Sequence, residues 1–144
     1  MTRISINIFL VSLLTWFFVA SLFSNSASAS PEEDADKLRN LLSTGENLFQ
    51  LGQHDKAMKN FQQALTLSRK LKIVGAFALS LNNIGFVYET RGQYDKAIDN
   101  YQQVLAIAKR LGKEDQVALS FHKIGQVYRS WHHYDKAMEN FQQA

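Results

Sequence analysis

Apolar residues recur at spacings of three and four along residues 36–144, which is the periodicity of amphipathic helices buried on one face. The clearest stretch runs from Ala97 to Ala108, where apolar side chains follow the i, i+1, i+4, i+7, i+8, i+11 pattern. Single glycines such as Gly92 follow these stretches and predict helix ends. The pattern predicts six helices in three pairs: 36–51 with 54–71, 75–91 with 94–111, and 115–131 with 134–144.

The helix pairs are copies of one another with a period of 40 residues. The aspartates near the start of the second helices keep this spacing: Asp55, Asp95 and Asp135. The glycines of the first helices keep it too: Gly45, Gly85 and Gly125. Self-similarity at a period between 20 and 50 residues is typical of repeat architectures, in which each unit buries its apolar face on its neighbours.

The repeated residues resemble the tetratricopeptide repeat. The second copy reads Leu81-x-x-Ile84-Gly85-x-x-Tyr88, then Gly92-x-Tyr94-x-x-Ala97-x-x-x-Tyr101-x-x-Val104. The first copy departs from this pattern, with Thr44 in an apolar position and His54 in an aromatic one. The period of 40 resembles the longer-helix variety of the family, found in kinesin light chains and many bacterial arrays. The resemblance implies an all-α, right-handed solenoid of antiparallel helix pairs, with repeats at about 37–74, 75–114 and 115–144.

The resemblance also implies that the first helices line a concave groove for a peptide or a partner helix. The predicted contacts are Asn82, Asn83, Phe86, Glu89, His122, Lys123, Gln126 and Arg129. The remaining groove positions are Arg39, Leu42, Ser43, Glu46, Phe49, Gln50, Leu79, Thr90, Leu119 and Ser130. The two carboxamides suit hydrogen bonding to a peptide backbone, with Phe86 as an apolar contact beside them. Lys123 and Arg129 suit a carboxylate or another acidic group.

The sequence does not predict the carboxylate clamp, a specialised groove of the family that binds chaperone tails. Members of the family that grip acidic C-terminal tails of chaperones need Lys and Asn where this chain has Leu42 and Glu46. Asn83 and Lys123 match isolated positions of that carboxylate clamp. The sequence therefore does not predict a chaperone-tail adaptor.

The first 29 residues differ from the repeats. Arg3 precedes an uncharged, largely apolar run at 8–23, and small polar residues follow, with Ala27 and Ala29 forming an Ala-x-Ala site. This order predicts a secretory signal peptide cleaved after Ala29. The 16-residue run exceeds the usual signal core of roughly 7–15 residues and falls short of the ~20 that span a bilayer. An uncleaved membrane anchor through this run is therefore the alternative.

Composition narrows the classes of function. The chain of 144 residues has no cysteine, which excludes disulfide frameworks, thiolate zinc sites and cysteine nucleophiles. Its net charge is only +3, and the sequence has no run of basic residues with aromatic residues between them. We therefore do not expect it to bind nucleic acid. His132 and His133 are consecutive residues in an inter-helix turn. Their side chains are expected to point in different directions, which does not suit binding of one metal ion. We therefore expect no metal site, cofactor or catalytic residue.

The sequence as a whole predicts a non-enzymatic interaction scaffold, exported to a bacterial periplasm or the cell exterior. Residues 30–36 are expected to be an acidic linker before the repeats. One alternative is an assembly factor tethered to the membrane by residues 8–23, and another is an accessory or regulatory subunit that binds an enzyme in trans. The last helix reaches Ala144 without the polar capping helix typical of solenoids. We therefore expect this repeat to associate with another protein or with another copy of the chain, or the third repeat to be a truncated part of a longer array.

Overall fold

The computed structural model describes residues 30–144, and these form six helices joined by three-residue turns. The helices are α1 (Pro31–Gln50), α2 (His54–Lys70), α3 (Val74–Thr90), α4 (Tyr94–Arg110), α5 (Glu114–Ser130) and α6 (Tyr134–Gln143). They pack as antiparallel pairs, which confirms the prediction of an all-α repeat fold. No helix within residues 30–144 has both the length and the hydropathy that crossing a membrane requires. The predicted signal segment 1–29, with its apolar run and cleavage site, lies outside the described residues.

The first helix starts earlier than the sequence pattern predicts. α1 begins at Pro31, so most of the stretch 30–36, expected to be a linker, is helical. The backbone N–H of Glu33 donates to Ser30 Oγ at 3.1 Å, which places the serine as a helix cap. Proline suits the first helical position, and acidic residues in the first turn are stabilised by the helix dipole. The acidic run thus belongs to a capped helix start.

Each turn ends its helix with one residue in the left-handed conformation. After α3 this residue is Gly92, with φ of 68°. The N–H groups of Gly92 and Gln93 bond back to carbonyls of the last helical turn, each at 2.9 Å, as in a Schellman motif. Glycine fills this position in three of the five turns, while Lys72 and His132 fill it in the other two, with φ of 57° and 62°. The turns therefore share one geometry despite different residues.

Within each pair, an aromatic ring of the second helix packs directly on a glycine of the first. A Cβ placed on Gly85 would lie 2.8 Å from the ring of Tyr101, closer than real side chains approach. The missing side chain therefore sets the separation of the two helices. The same contact occurs in all three pairs: Gly45 with Phe61, Gly85 with Tyr101, and Gly125 with Phe141.

Consecutive pairs are joined through the second helix of one and the first helix of the next. Met58 of α2 is buried in one cluster with Ile84 and Val87 of α3. The equivalent cluster between α4 and α5 contains Ile98, Ile124 and Val127. Because each repeat contributes one half of such a cluster, stacking creates the core of residues 34–144 and leaves one face of α1, α3 and α5 exposed for contact.

Candidate functional site

The candidate site is the exposed surface shared by α1, α3 and α5, here called the first-helix face. All eight predicted contact residues lie on α3 or α5. Five are half-buried: Asn82, Asn83, Glu89, Lys123 and Gln126. Three are exposed: Phe86, His122 and Arg129. Their contacts divide the eight into separate groups, so the predicted site is not a single cluster.

One depression of about 220 Å³ lies between α1 and α3. It is lined by Glu46, Phe49, Gln50, Phe61, Asn83 and Phe86. The ring centroids of Phe49 and Phe86 are 4.8 Å apart, and Phe86 remains 46% exposed. Asn83 Nδ2 donates a long hydrogen bond of 3.5 Å to Glu46 Oε1. This α1/α3 depression therefore combines an exposed aromatic surface with an amide and a carboxylate, which suits an apolar side chain carried on a polar backbone.

A second depression of about 220 Å³ lies between α3 and α5, with the end of α4 as its floor. Leu79 and Leu119 line it and are 42% and 52% exposed. Asn82 and Lys123 line it as well. Asn82 and Asn83, adjacent in sequence, thus line different depressions, and Phe86 shares its depression with Asn83 alone. This α3/α5 depression offers two leucines, an amide and a cation.

Two predicted contacts, Glu89 and Lys123, pack on a buried tyrosine of the chain itself. The Tyr101 hydroxyl donates to Glu89 Oε2 at 3.1 Å, and Lys123 Nζ lies 5.4 Å from the centre of the Tyr101 ring. Burial, and then the nearby Glu89 carboxylate, raise the pKa of Tyr101 far above its ordinary value. The phenol therefore stays protonated and donates to Glu89, which acts first as a structural partner.

The remaining predicted contacts lie on α5, outside both depressions. The His122 ring centroid is 5.4 Å from that of Phe141 in α6, so this histidine packs on the neighbouring helix while remaining exposed. Gln126 and Arg129 lie further along α5. This end of the first-helix face is polar and carries Arg129, one of the two cations that the sequence predicts for an acidic ligand.

The sequence pattern does not single out the contribution of α1. Phe49, Glu46 and Gln50 are among its groove positions, yet the first repeat matches the family pattern least well. The sequence does distinguish Phe49 from its equivalents, because the same position holds Glu89 and Arg129 in the other two copies. An aromatic residue at a surface position that is otherwise charged indicates a contact.

The histidines at the last turn are used for packing. His132 Nδ1 lies 2.9 Å from the Tyr134 hydroxyl, and the His133 ring centroid is 4.7 Å from that of Trp131. Over residues 30–144 no group of three His, Cys, Asp or Glu side chains could hold a metal ion.

Comparisons with solved structures support the fold described above. The chain is similar to the TPR domain of Arabidopsis FLU, with a TM-score of 0.70 and 25% sequence identity over 76% of this chain and 92% of that one. It is also similar to aspartyl phosphate phosphatase F from Bacillus subtilis, with a TM-score of 0.67 and 20% identity. The second match covers 83% of this chain but 30% of the phosphatase and concerns the fold alone.

Comparisons with protein families also support a tetratricopeptide repeat fold. No curated protein matches the sequence significantly. Two models of the tetratricopeptide repeat match it, one over residues 39–71 and the other over residues 77–144. These matches include five of the six helices in full or nearly so, together with part of α1. The chain is therefore a member of the tetratricopeptide repeat family, whose domains are generally non-catalytic scaffolds that bind other proteins.

Proposed function

We propose that the first-helix face binds a segment of another protein, and that the protein acts through this contact as a non-enzymatic scaffold. The observation that carries the proposal is the pair of depressions, each with exposed apolar side chains beside a half-buried carboxamide. Phe86, Leu79 and Leu119 are between 42% and 52% exposed. Apolar surface gathered in depressions is typical of interaction sites, because binding removes it from water.

The arrangement favours a ligand that spans both depressions. Leu79 and Phe86 are seven residues apart on α3, which is two helical turns or about 10 Å along the helix. A peptide or helix placing one apolar side chain near each of them can also accept hydrogen bonds from Asn82 and Asn83. Lys123 beside Leu119 favours an acidic group at that end of the ligand.

A peptide selection tests this function. Random peptides are displayed, selected on the purified protein, and measured by calorimetry against wild type and variants. We expect Phe86→Ala and Leu79→Ala each to weaken selected peptides tenfold or more, since each truncation removes apolar contact area. Gln102→Ala, at an exposed position of α4, is the matched control and leaves affinity unchanged. Selected peptides that bind both groove variants as tightly as wild type would contradict the proposal.

We further propose that residues 1–29 are removed as a signal peptide and that the mature protein works in a bacterial periplasm or outside the cell. Cleavage after Ala29 leaves Ser30 as the first residue, and Ser30 caps α1, so the cut would leave the first helix and its cap intact. Fractionation of expressing cells with mass measurement of the N-terminus tests this. A soluble product beginning at Ser30 supports the proposal, and an intact membrane-bound chain would indicate an anchor at residues 8–23.

A further inference from the structure

A further depression, of about 290 Å³, lies where the end of α2, the turn after it, the start of α3 and the end of α4 meet. Most of its lining residues are either apolar or cationic. The apolar ones are Ile73, Val74, Phe77 and Ile107, and the cations are Arg69, Lys72 and Arg110. No acidic side chain of residues 30–144 lines this depression, which is here called the basic pocket.

Part of the apolar surface of the basic pocket is open to solvent. Ile73 and Val74 are 39% and 38% exposed. The next copy of the repeat has Lys113 and Glu114 at these two positions. Exposed aliphatic side chains therefore lie where the neighbouring repeat has charged ones, and a ligand that covers them removes apolar area from water.

The cations of the basic pocket have no acidic partner within residues 30–144. The ion pairs there involve other cations, namely Arg39, Lys70 and Arg91. The guanidinium carbon of Arg69 lies 5.2 Å from the centre of the Phe77 ring, which holds the charge beside the apolar surface. Because a guanidinium group presents paired N–H donors, Arg69 and Arg110 suit a carboxylate.

Lys72 contributes the third positive charge from a strained backbone position. Its φ is 57°, in the left-handed region, where the next copy of the repeat has Gly112. Glycine adopts this conformation at a lower cost than lysine, so the turn itself does not require the lysine. Strain of this kind is frequent where a side chain contacts a ligand. The position of Lys72 is therefore accounted for by its charge in the pocket.

We propose that the basic pocket binds a small organic anion with an apolar body, such as a medium-chain carboxylate. The carbon chain covers the exposed aliphatic side chains, and the carboxylate accepts hydrogen bonds from the arginines and the lysine. The volume of about 290 Å³ is close to the lower limit of about 300 Å³ for small-molecule sites. Val74 and Ile107 also line the α3/α5 depression, but the three cations do not, so this site is separate from the first-helix face.

Titration with octanoate tests this site. The purified, isotope-labelled protein is titrated while the chemical shifts of the backbone amides are followed. We expect saturable changes centred on residues 68–77 and 107–110. Octanol has the chain without the charge, and acetate has the charge without the chain, so we expect each to bind about tenfold more weakly or less. Equal dissociation constants for octanoate and octanol would overturn the proposal, because the cations would then contribute nothing.

Two variants test the cations. Arg110→Gln removes a charge from the pocket, and Lys109→Gln removes one from the same turn of α4 outside it. We expect the first to weaken octanoate binding about fivefold or more and the second to leave it unchanged. Lys72→Gly is expected to weaken binding as Arg110→Gln does. Because glycine suits the backbone at this turn, unfolding cannot account for that loss.

The remaining outcomes identify the occupant. Phe86→Ala is expected to leave octanoate binding unchanged, since Phe86 lies outside the basic pocket. Equal weakening by Arg110→Gln and Lys109→Gln would overturn the proposal, because overall charge would then explain binding. Binding to phosphatidylglycerol vesicles that Arg110→Gln abolishes, without saturable binding of octanoate, would overturn it as well, since the occupant would then be a membrane surface.

Discussion

The contact between Gly85 and Tyr101 shows how one missing side chain sets the spacing of two helices. Gly85→Ala adds a methyl group that would lie 2.8 Å from the ring, and overpacking of this kind costs about 1–3 kcal/mol. The higher helix propensity of alanine offsets up to about 1 kcal/mol of this destabilisation. We therefore expect a net decrease centred on about 1 kcal/mol in the free energy of unfolding, measured by urea denaturation.

The same helix contains the control for this substitution. Gly75 lies in the first turn of α3, and a methyl group added there would have no neighbouring atom within 4 Å. Gly75→Ala is expected to be neutral or to stabilise by up to about 1 kcal/mol. Equal effects of the two substitutions would show that the ring of Tyr101 does not constrain the helix spacing.

The Tyr101 hydroxyl distinguishes the middle repeat from its neighbours, which have phenylalanine at this position. Tyr101→Phe keeps the ring packing and removes the hydrogen bond to Glu89, so we expect a loss of about 1 kcal/mol at neutral pH. The pKa of Tyr101 is raised above the unfolded value near 10. Its contribution is therefore fully present below pH 10 and is lost as the pH rises beyond that value.

Urea denaturation between pH 8 and pH 11 measures this dependence. Above pH 10 the wild type is expected to lose up to about 1.4 kcal/mol per pH unit relative to Tyr101→Phe, so the two stabilities converge. A difference between the two proteins that stays constant over this range would contradict the buried, protonated state of Tyr101.

At the scale of helices and turns, two of the five turns place a residue other than glycine in the left-handed conformation. Lys72 has φ of 57°, while Gly112, at the same position of the next repeat, has φ of 63°. Because this conformation disfavours a side chain, Lys72→Gly is expected to stabilise by about 0.5–1 kcal/mol in thermal or urea unfolding. Lys72→Ala removes the same charge but keeps the strain, so stabilisation by alanine of equal size would contradict the explanation.

Helix positions could be predicted from the sequence because each helix has one continuous apolar stripe and a glycine or turn residue after it. Periodicity places the start of α1 at about residue 36, whereas the helix begins at Pro31. Its first turn, Pro31 to Asp34, is acidic and has no apolar repeat, so periodicity does not detect it. The capping serine and the proline after it were the available signal.

Repeat register predicts that Asn82, Asn83 and Phe86 lie on the first helix of their repeat, and the structure places all three on α3. Which of them share a depression depends on the rotation and spacing of three helices, and a one-residue step turns a side chain by about 100°. Adjacent asparagines therefore belong to different depressions, and Glu89 turns to a tyrosine of its own chain.

For residues 34–144 as a whole, α1 is polar at the positions where α3 and α5 are apolar, and α6 exposes Met138 and Tyr134. The substitutions N40S, T44I and N47V give α1 the serine, isoleucine and valine with which α3 packs on α2, namely Ser80, Ile84 and Val87, so that α1 can pack in the same way on α6 of another copy. Because this contact is head-to-tail and does not close, we expect concentration-dependent oligomers in analytical ultracentrifugation. Adding Met138→Lys is expected to restore the monomer. Oligomers that persist in that combined variant would show that α6 is not the acceptor.

We have proposed that the first-helix face binds the ligand. The most direct test is a nuclear magnetic resonance titration of the isotope-labelled protein with a peptide selected on it, following every backbone amide. If the first-helix face binds the peptide, we expect chemical-shift changes at α1, α3 and α5, strongest around Asn82, Asn83 and Phe86. Changes confined to the exposed sides of α2 and α4, with α3 and α5 unaffected, would contradict it.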